Sequence, residues 1–273
     1  MSDRLGVGFI GAGFISGLHA QSWRHVRGAD ILGIVDKRQK RAQELVKLCK
    51  KLRVGNPKIF KSVTDMAKNS KINAIWINTP NFTRIPIIEE ILKAITQHKA
   101  NLIGIACEKP LGRTVKEAQK MVKLVKETGL LHGYLEDLCF APSITRGREI
   151  IWKRGAANSG RPYLARCVGE HGGPHEPWFW DGKKQGGGVL NDMMCHTLEA
   201  ARLLLTEPGK KKTSIKPKNV RCEIASLKWT RPEYAKILKQ RTGGKIDYTK
   251  MASEDYARAT IVFESPEKTP FNR

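Results

Sequence analysis

The sequence predicts an α/β chain: a parallel sheet covered by helices on both faces, followed by a second region with antiparallel strands. Short apolar segments rich in β-branched residues alternate with helix-length amphipathic stretches through the first half. A glycine-rich turn directly follows the first of these apolar segments. Beyond Phe140 the pattern changes to segments whose apolar residues alternate, as in half-exposed strands.

The predicted strands of the parallel sheet cover residues 5–10, 29–35, 72–78, 101–107 and 130–136, and the helices between them include 40–52, 86–98 and 114–127. In the last helix Val115, Ala118, Met121, Val122 and Val125 recur at helical spacing, with Thr114 and Glu117 placed as a capping box. A helix over 142–152 and a long strand over 161–171 open the second region. A polar loop over 207–219 then leads to antiparallel strands over 220–229 and 256–264. The division is expected between a first domain at 1–138 and a second at 139–273.

Bulk properties bound the function. With 273 residues and 40% of them hydrophobic, the chain can build two packed cores and is not a disordered segment. No apolar run approaches the roughly 18 residues that cross a bilayer. The first residues enter a strand without a charged-then-apolar leader, so a cytoplasmic protein is expected. The six cysteines form no C-x-x-C pair, which argues against a zinc ribbon or a redox dithiol. The formal charge of +23 favours polyanions or anionic ligands. Its basic residues crowd 37–61 and 210–218 but are otherwise scattered, with no helix-turn-helix or aromatic ladder; solvated faces are favoured over a nucleic-acid interface.

The turn "GAGFIS", Gly11 to Ser16, is a variant of the dinucleotide fingerprint. Gly11 permits a tight turn, Gly13 leaves room for a pyrophosphate, and the helix that begins at Phe14 and Ile15 turns its N–H groups toward the phosphates. Ser16 replaces the third glycine with another small residue. Asp36 closes the next strand about 20 residues later, where a carboxylate suits ribose hydroxyls. Its charge would repel a 2′-phosphate, which favours NAD, although the neighbouring Lys37 and Arg38 leave NADP open.

Further along, "CEKPLG" sets Lys109 at the carboxyl end of a strand, where it can bind a substrate hydroxyl and stabilise a developing alkoxide; read alone, such a residue is more often a surface lysine before a turn. In "GGGVLNDMMCH", Gly186 to His196, glycines that let a ligand approach precede Asp192 and His196, four residues apart. On a helix starting near Leu190 these two share a face; on the residues alone, an ordinary surface i,i+4 pair is the favoured reading. The segment "EHGGPHEPWFWD" offers His171, His175, Trp178 and Trp180 to a sugar ring, with aromatic packing under a loop as the alternative. A metal among these histidines and carboxylates is not expected.

Taken in order, "GFIGAGFISGLHA", "INTPN", "CEKPLG", "EHGGPHEPWFWD", "GGGVLNDMMCH" and "EDYARATIVFE" resemble the Gfo/Idh/MocA oxidoreductases, which include glucose-fructose oxidoreductase and inositol dehydrogenase. The resemblance runs over essentially the whole chain. It implies a Rossmann domain followed by an α/β domain with a largely antiparallel open sheet. It places Thr79, Pro80 and Asn81, with Glu108 and Lys109, beside Gly11, Gly13, Phe14, Ile15, Asp36 and Lys37 as cofactor contacts. His196 becomes the acid-base catalyst, with Lys109 and Asp192 contacting substrate or orienting that histidine.

The implied activity is an NAD-dependent oxidation or reduction of a sugar, sugar derivative or inositol, without metal, in a protein that can self-associate through its C-terminal sheet. The departures are Arg84, which stands near the place where members carry a histidine, and a second domain expected to be incomplete, because members continue beyond the strand at 256–264. The rival expectations are a non-catalytic NAD(P)-binding protein and a polyanion-binding protein.

Overall fold

A computed structural model describes residues 4–98, 100–174, 176–251 and 253–264. The chain forms two compact units, Met1–Leu135 and Glu136–Arg273.

In the first unit, strands β1 (Leu5–Ile10), β2 (Ala29–Val35), β3 (Lys58–Ile59), β4 (Ala74–Ile77), β5 (Gly104–Glu108) and β6 (Leu131–Leu135) form a sheet in the order β3-β2-β1-β4-β5-β6. Every adjacent pair is parallel. The connections carry α1 (Phe14–Ser22), α2 (Gln39–Leu52), α3 (Val63–Ala67), α4 (Arg84–His98) and α5 (Val115–Glu127).

Alternation along β1 sends Val7 and Phe9 into one apolar layer, with Trp23, Ile31, Ile34 and Leu45, and Ile10 into the other, with Met66, Ile75, Ile88, Ile91 and Met121. Both faces of the sheet are therefore buried, the condition for a parallel arrangement. The chain order reverses between β1 and β4, the switch point where open α/β sheets bind ligands. Register pairs Ile10 with Ile77 and Ile77 with Cys107, which sets the carboxyl ends of β1, β4 and β5 level.

The capping box at α5 forms in an altered way. Thr114 accepts the Glu117 N–H, but the Glu117 carboxylate turns to the N–H and guanidinium of Arg113. Only Met121 of the expected apolar stripe is fully buried, and Val115 is 75% exposed.

The second unit contains α6 (Pro142–Ile150), which runs through a π-helical turn at Ile151–Gly155 into α7 (Ala156–Ser159). The short α8 (Gly182–Gln185), a second π-helical turn at Leu190–Met194 and α9 (Cys195–Leu205) follow. Antiparallel β7 (Lys216–Ala225) and β8 (Tyr256–Glu264), with α10 (Pro232–Arg241) between them, complete it. Its small core is aromatic: Trp180 meets Trp229 edge-on at 5.1 Å and Tyr248 at 6.1 Å, with Leu238 and Ile246 beside them.

Two sequence expectations change here. The segment 161–171 is irregular rather than a strand; Tyr163 is 92% exposed, and no strand among the described residues supplies the paired backbone a strand needs. β7 spans Lys216–Ala225 instead of 220–229: Lys216, Pro217 and Asn219, expected in the polar loop, pair with β8, and at the other end the Asp255 carboxylate accepts the N–H groups of Leu227, Lys228 and Trp229, drawing that backbone out of the ladder. Among the described residues no helix is long and apolar enough to cross a membrane.

Candidate functional site

The glycine turn lies at the switch point. Gly11 has φ +96°, a conformation that favours glycine, and a Cβ there would press on Thr79 and the Asn78 carbonyl at 3.0–3.2 Å. Gly13 is different: its φ is −82°, and a Cβ would meet only the Arg41 guanidinium, at 3.9 Å. The chain itself leaves that space open. Ser16 is fully buried and its hydroxyl donates to the Gly11 carbonyl at 2.7 Å, so the residue in place of the third glycine ties the helix to the turn.

Asp36 closes the other side, accepting the Ala12 N–H at 2.6 Å and the Arg38 N–H at 2.7 Å. Lys37 is exposed beside it, and Phe14 is 59% exposed at the start of α1. In the neighbouring loop both amide atoms of Asn78 and the Thr79 hydroxyl are enclosed without a protein partner. An open cradle at Gly13, amides at a helix N-terminus, a carboxylate on the second strand and orphaned polar atoms on the fourth fit a dinucleotide.

Lys109 follows β5, whose end is level with that turn. Two side chains that periodicity does not mark hold its backbone. Arg84, nearly buried at the start of α4, donates to the carbonyls of Thr79, Glu108, Lys109 and Pro110, and so ties the "INTPN" loop to "CEKPLG". His19 of α1 lies 2.8 Å from Glu108 Oε1, while Glu108 Oε2 accepts the Lys109 N–H at 3.0 Å. Glu108 therefore shapes the loop beneath Lys109. Pro80 and Asn81 enter the short turn before α4, where Asn81 is buried and its Oδ1 accepts the Phe82 N–H.

In the second unit Gly188 is fixed by the fold, since a Cβ there would sit 1.9 Å from the Glu254 carbonyl oxygen. The Val189 N–H donates to the same carbonyl and the Leu190 N–H to the Glu254 carboxylate, which seats the start of the helical segment. The far end of α9 is held by Arg148 on the Thr206 carbonyl and by the Trp152 indole on Leu204. Burial lowers the Arg148 pKa from its usual value.

The expectation that Asp192 and His196 lie along one face of a regular helix is corrected. Asp192 belongs to the π-helical turn and only His196 to α9, so the turn between them is not the 3.6-residue one assumed. Asp192 is buried, with Oδ2 3.6 Å from His171 Nε2. The His171 Nδ1 accepts the Gly173 N–H at 3.0 Å, which leaves its Nε2–H toward Asp192. His196 Nδ1 instead lies 2.5 Å from Glu136 Oε1 and 3.5 Å from Asp137 Oδ1. Glu136 is the contact of His196 that the sequence did not single out. The available signal was an acidic pair closing the last apolar strand of the sheet.

A cavity of about 940 Å³ within this unit is lined by His171, Asp192, Met193 and Trp180, among others. Trp180 is only 5% exposed and its indole donates to the Pro174 carbonyl, so its expected role of offering a ring face to a sugar is corrected to core packing. Trp178 stacks on Phe179 at 3.8 Å and is half-buried. His175 lies outside the described residues.

Glu136, Cys195 and His196 place donor atoms within 4.8 Å of one another. Two ligands each about 2.1 Å from a tetrahedral metal stand about 3.4 Å apart. The 2.5 Å between Glu136 and His196 is shorter than that and is the separation of a hydrogen bond.

Residues 5–134 match a family model described as an oxidoreductase family with an NAD-binding Rossmann fold, and residues 156–268 match the GFO/IDH/MocA C-terminal domain. Inositol 2-dehydrogenase of Rubrobacter xylanophilus is 30% identical over 129 residues, 47% of this chain and 33% of that protein. The 1,5-anhydro-D-fructose reductase of Ensifer adhaerens is 28% identical over 155 residues, covering 56% of this chain and 44% of the reductase. The chain thus spans less than half the length of these two relatives.

Among solved structures, GenD2 from gentamicin A biosynthesis, in complex with NAD, matches with a TM-score of 0.67 at 20% identity, over 96% of this chain and 63% of that one. An oxidoreductase from Thermotoga maritima matches equally, at 0.67 and 20%, over 96% and 69%. At these identities the structures show the shared fold alone.

Proposed function

Because the chain belongs to the Gfo/Idh/MocA oxidoreductase family, we propose that it is an NAD-dependent enzyme that oxidises or reduces a hydroxyl-bearing carbon of a sugar, sugar derivative or inositol. The observation that carries this is the space at Gly13, which no packing inside the chain requires, beside a carboxylate on Asp36 that disfavours a 2′-phosphate.

When bound, the nicotinamide supplies a hydride acceptor or donor. The turn from Gly11 to Ile15 holds the phosphates, and Asp36 takes the ribose hydroxyls. His196 receives the proton of the substrate hydroxyl, Lys109 stabilises the charge that develops on that oxygen, and Asp192 binds a neighbouring hydroxyl. A reducing compartment suits the six thiols, none of them in a disulfide among the described residues. We assign self-association to the β7–β8 sheet, a reading supported by the 60% and 57% exposure of Val220 and Ile224.

The test measures NAD affinity by tryptophan quenching and NADH formation over a panel of sugars and inositols. Lys109→Met and His196→Asn are expected to lower turnover by about 100-fold or more while NAD affinity stays within about threefold. Full turnover in both variants would remove these roles. NAD binding with no NADH formation from any member of the panel would assign the chain to nucleotide binding without catalysis.

A further inference from the structure

Glu136 takes no part in the steps above, yet it is the most enclosed carboxylate of the second unit among the described residues. It is 2% exposed; Oε1 lies 2.5 Å from His196 Nδ1 and accepts the Leu138 N–H at 3.3 Å, while Oε2 is enclosed with no partner. A carboxylate so far from water persists as an anion only against a fixed proton donor. The backbone amide supplies one and the imidazole the other. Whether the ring is neutral or charged, its Nδ1 then carries a proton, and Nε2 is the nitrogen left to exchange one.

We propose that Glu136 is the positioning residue of His196. It holds the ring in the Nδ1–H tautomer and aims Nε2 as the proton acceptor, an orienting part that the family resemblance offers to Lys109 or Asp192. The inference rests on His196 being the acid-base group, but its structural content can be measured without turnover.

Other charged and titratable groups near the ring do not replace Glu136. Asp137 reaches the same nitrogen only at 3.5 Å, with its side chain 76% exposed. Glu199 of α9 is paired with Lys212 at 2.5 Å and with Arg202 at 3.7 Å. The Cys195 thiol is directed at the Asp192 carbonyl, and Asp192 itself faces His171. From α6 and the π-helical turn after it, Arg148 is spent on the Thr206 and Glu207 carbonyls, and Arg146 and Lys153 pair with Glu149. Burial raises the nearby Cys139 thiol above its usual range, so it is a neutral neighbour.

The experiment uses the full chain, Glu136→Gln and Glu136→Asp, with circular dichroism as the check on folding. Long-range ¹H–¹⁵N correlation spectra of histidine-labelled protein report the His196 tautomer directly. The expected result is protonated Nδ1 with bare Nε2 in the unsubstituted chain, a mixture of tautomers in Glu136→Gln, and recovery of the single tautomer in Glu136→Asp.

In turnover, Glu136→Gln is expected to lower kcat by about 100-fold or more, because the ring is no longer held in the productive tautomer. NAD affinity should stay within about threefold. A bare Nδ1 in the unsubstituted chain overturns the proposal, as does an unchanged tautomer in Glu136→Gln. If Glu136→Gln does not fold, the unsubstituted chain and Glu136→Asp still decide it. Full turnover in His196→Asn together with the expected tautomers would instead remove the parent role and leave the positioning intact.

Discussion

A methyl group added to Gly13 would fill space that this chain does not use, whereas one added to Gly188 would collide with the Glu254 carbonyl oxygen at 1.9 Å. The two glycines look alike in sequence and answer to different demands: Gly188 to the fold, and Gly13, under the proposed function, to a ligand. Gly13→Ala should therefore leave the thermal midpoint unchanged or raise it by about 2 °C, since alanine restricts the unfolded chain at an ordinary φ. Its NAD dissociation constant should rise at least about tenfold. Calorimetry and fluorescence titration on one preparation check both, and parallel losses would mean that Gly13 serves the fold after all. Gly188→Ala, by contrast, should not give a native fold.

At the level of elements, the sequence located α5 and its Thr114 cap but not the Arg113 partner of the Glu117 carboxylate. The Arg113 guanidinium, aided by its backbone N–H and opposed by partial burial, keeps the Glu117 carboxyl below the usual glutamate range. The contact thus stabilises the fold fully above the unfolded glutamate value, about pH 4.3, and is lost as pH falls through the lower folded value. Both side chains are partly solvent-exposed, so the contribution is under about 1 kcal/mol. Glu117→Gln should be less stable than the parent by that amount at pH 7, and urea midpoints of the two should converge in acid. A gap that persists at low pH would show that packing, not charge, distinguishes them. The misplaced strand at 161–171 has a different origin. Its alternation suits a sheet, but a ladder needs a neighbour, and none forms among the described residues.

For the molecule as a whole, the first unit has an apolar layer on each face of its sheet and contains the glycine turn, Asp36 and the Asn78–Thr79 loop. Residues 1–135 expressed alone should therefore unfold cooperatively and bind NAD within about tenfold of the intact chain, while forming no NADH. Calorimetry and fluorescence titration of the fragment test this. An unfolded fragment would show that the unit depends on the remainder of the chain.

The amino-acid order by itself determined the alternation of strand and helix, the dinucleotide turn, the acidic residue closing the second strand and the side chains capable of the chemistry. Each depends on neighbours a few residues apart, so local sterics and periodicity expose it. Only the tertiary structure decided how those side chains pair. His196 meets Glu136, 60 residues away; Asp192 faces His171; Arg84 clasps the carbonyls around Lys109; and Trp180 turns into the core. Such contacts arise when packed elements bring distant backbone together, and spacing along one helix does not encode them.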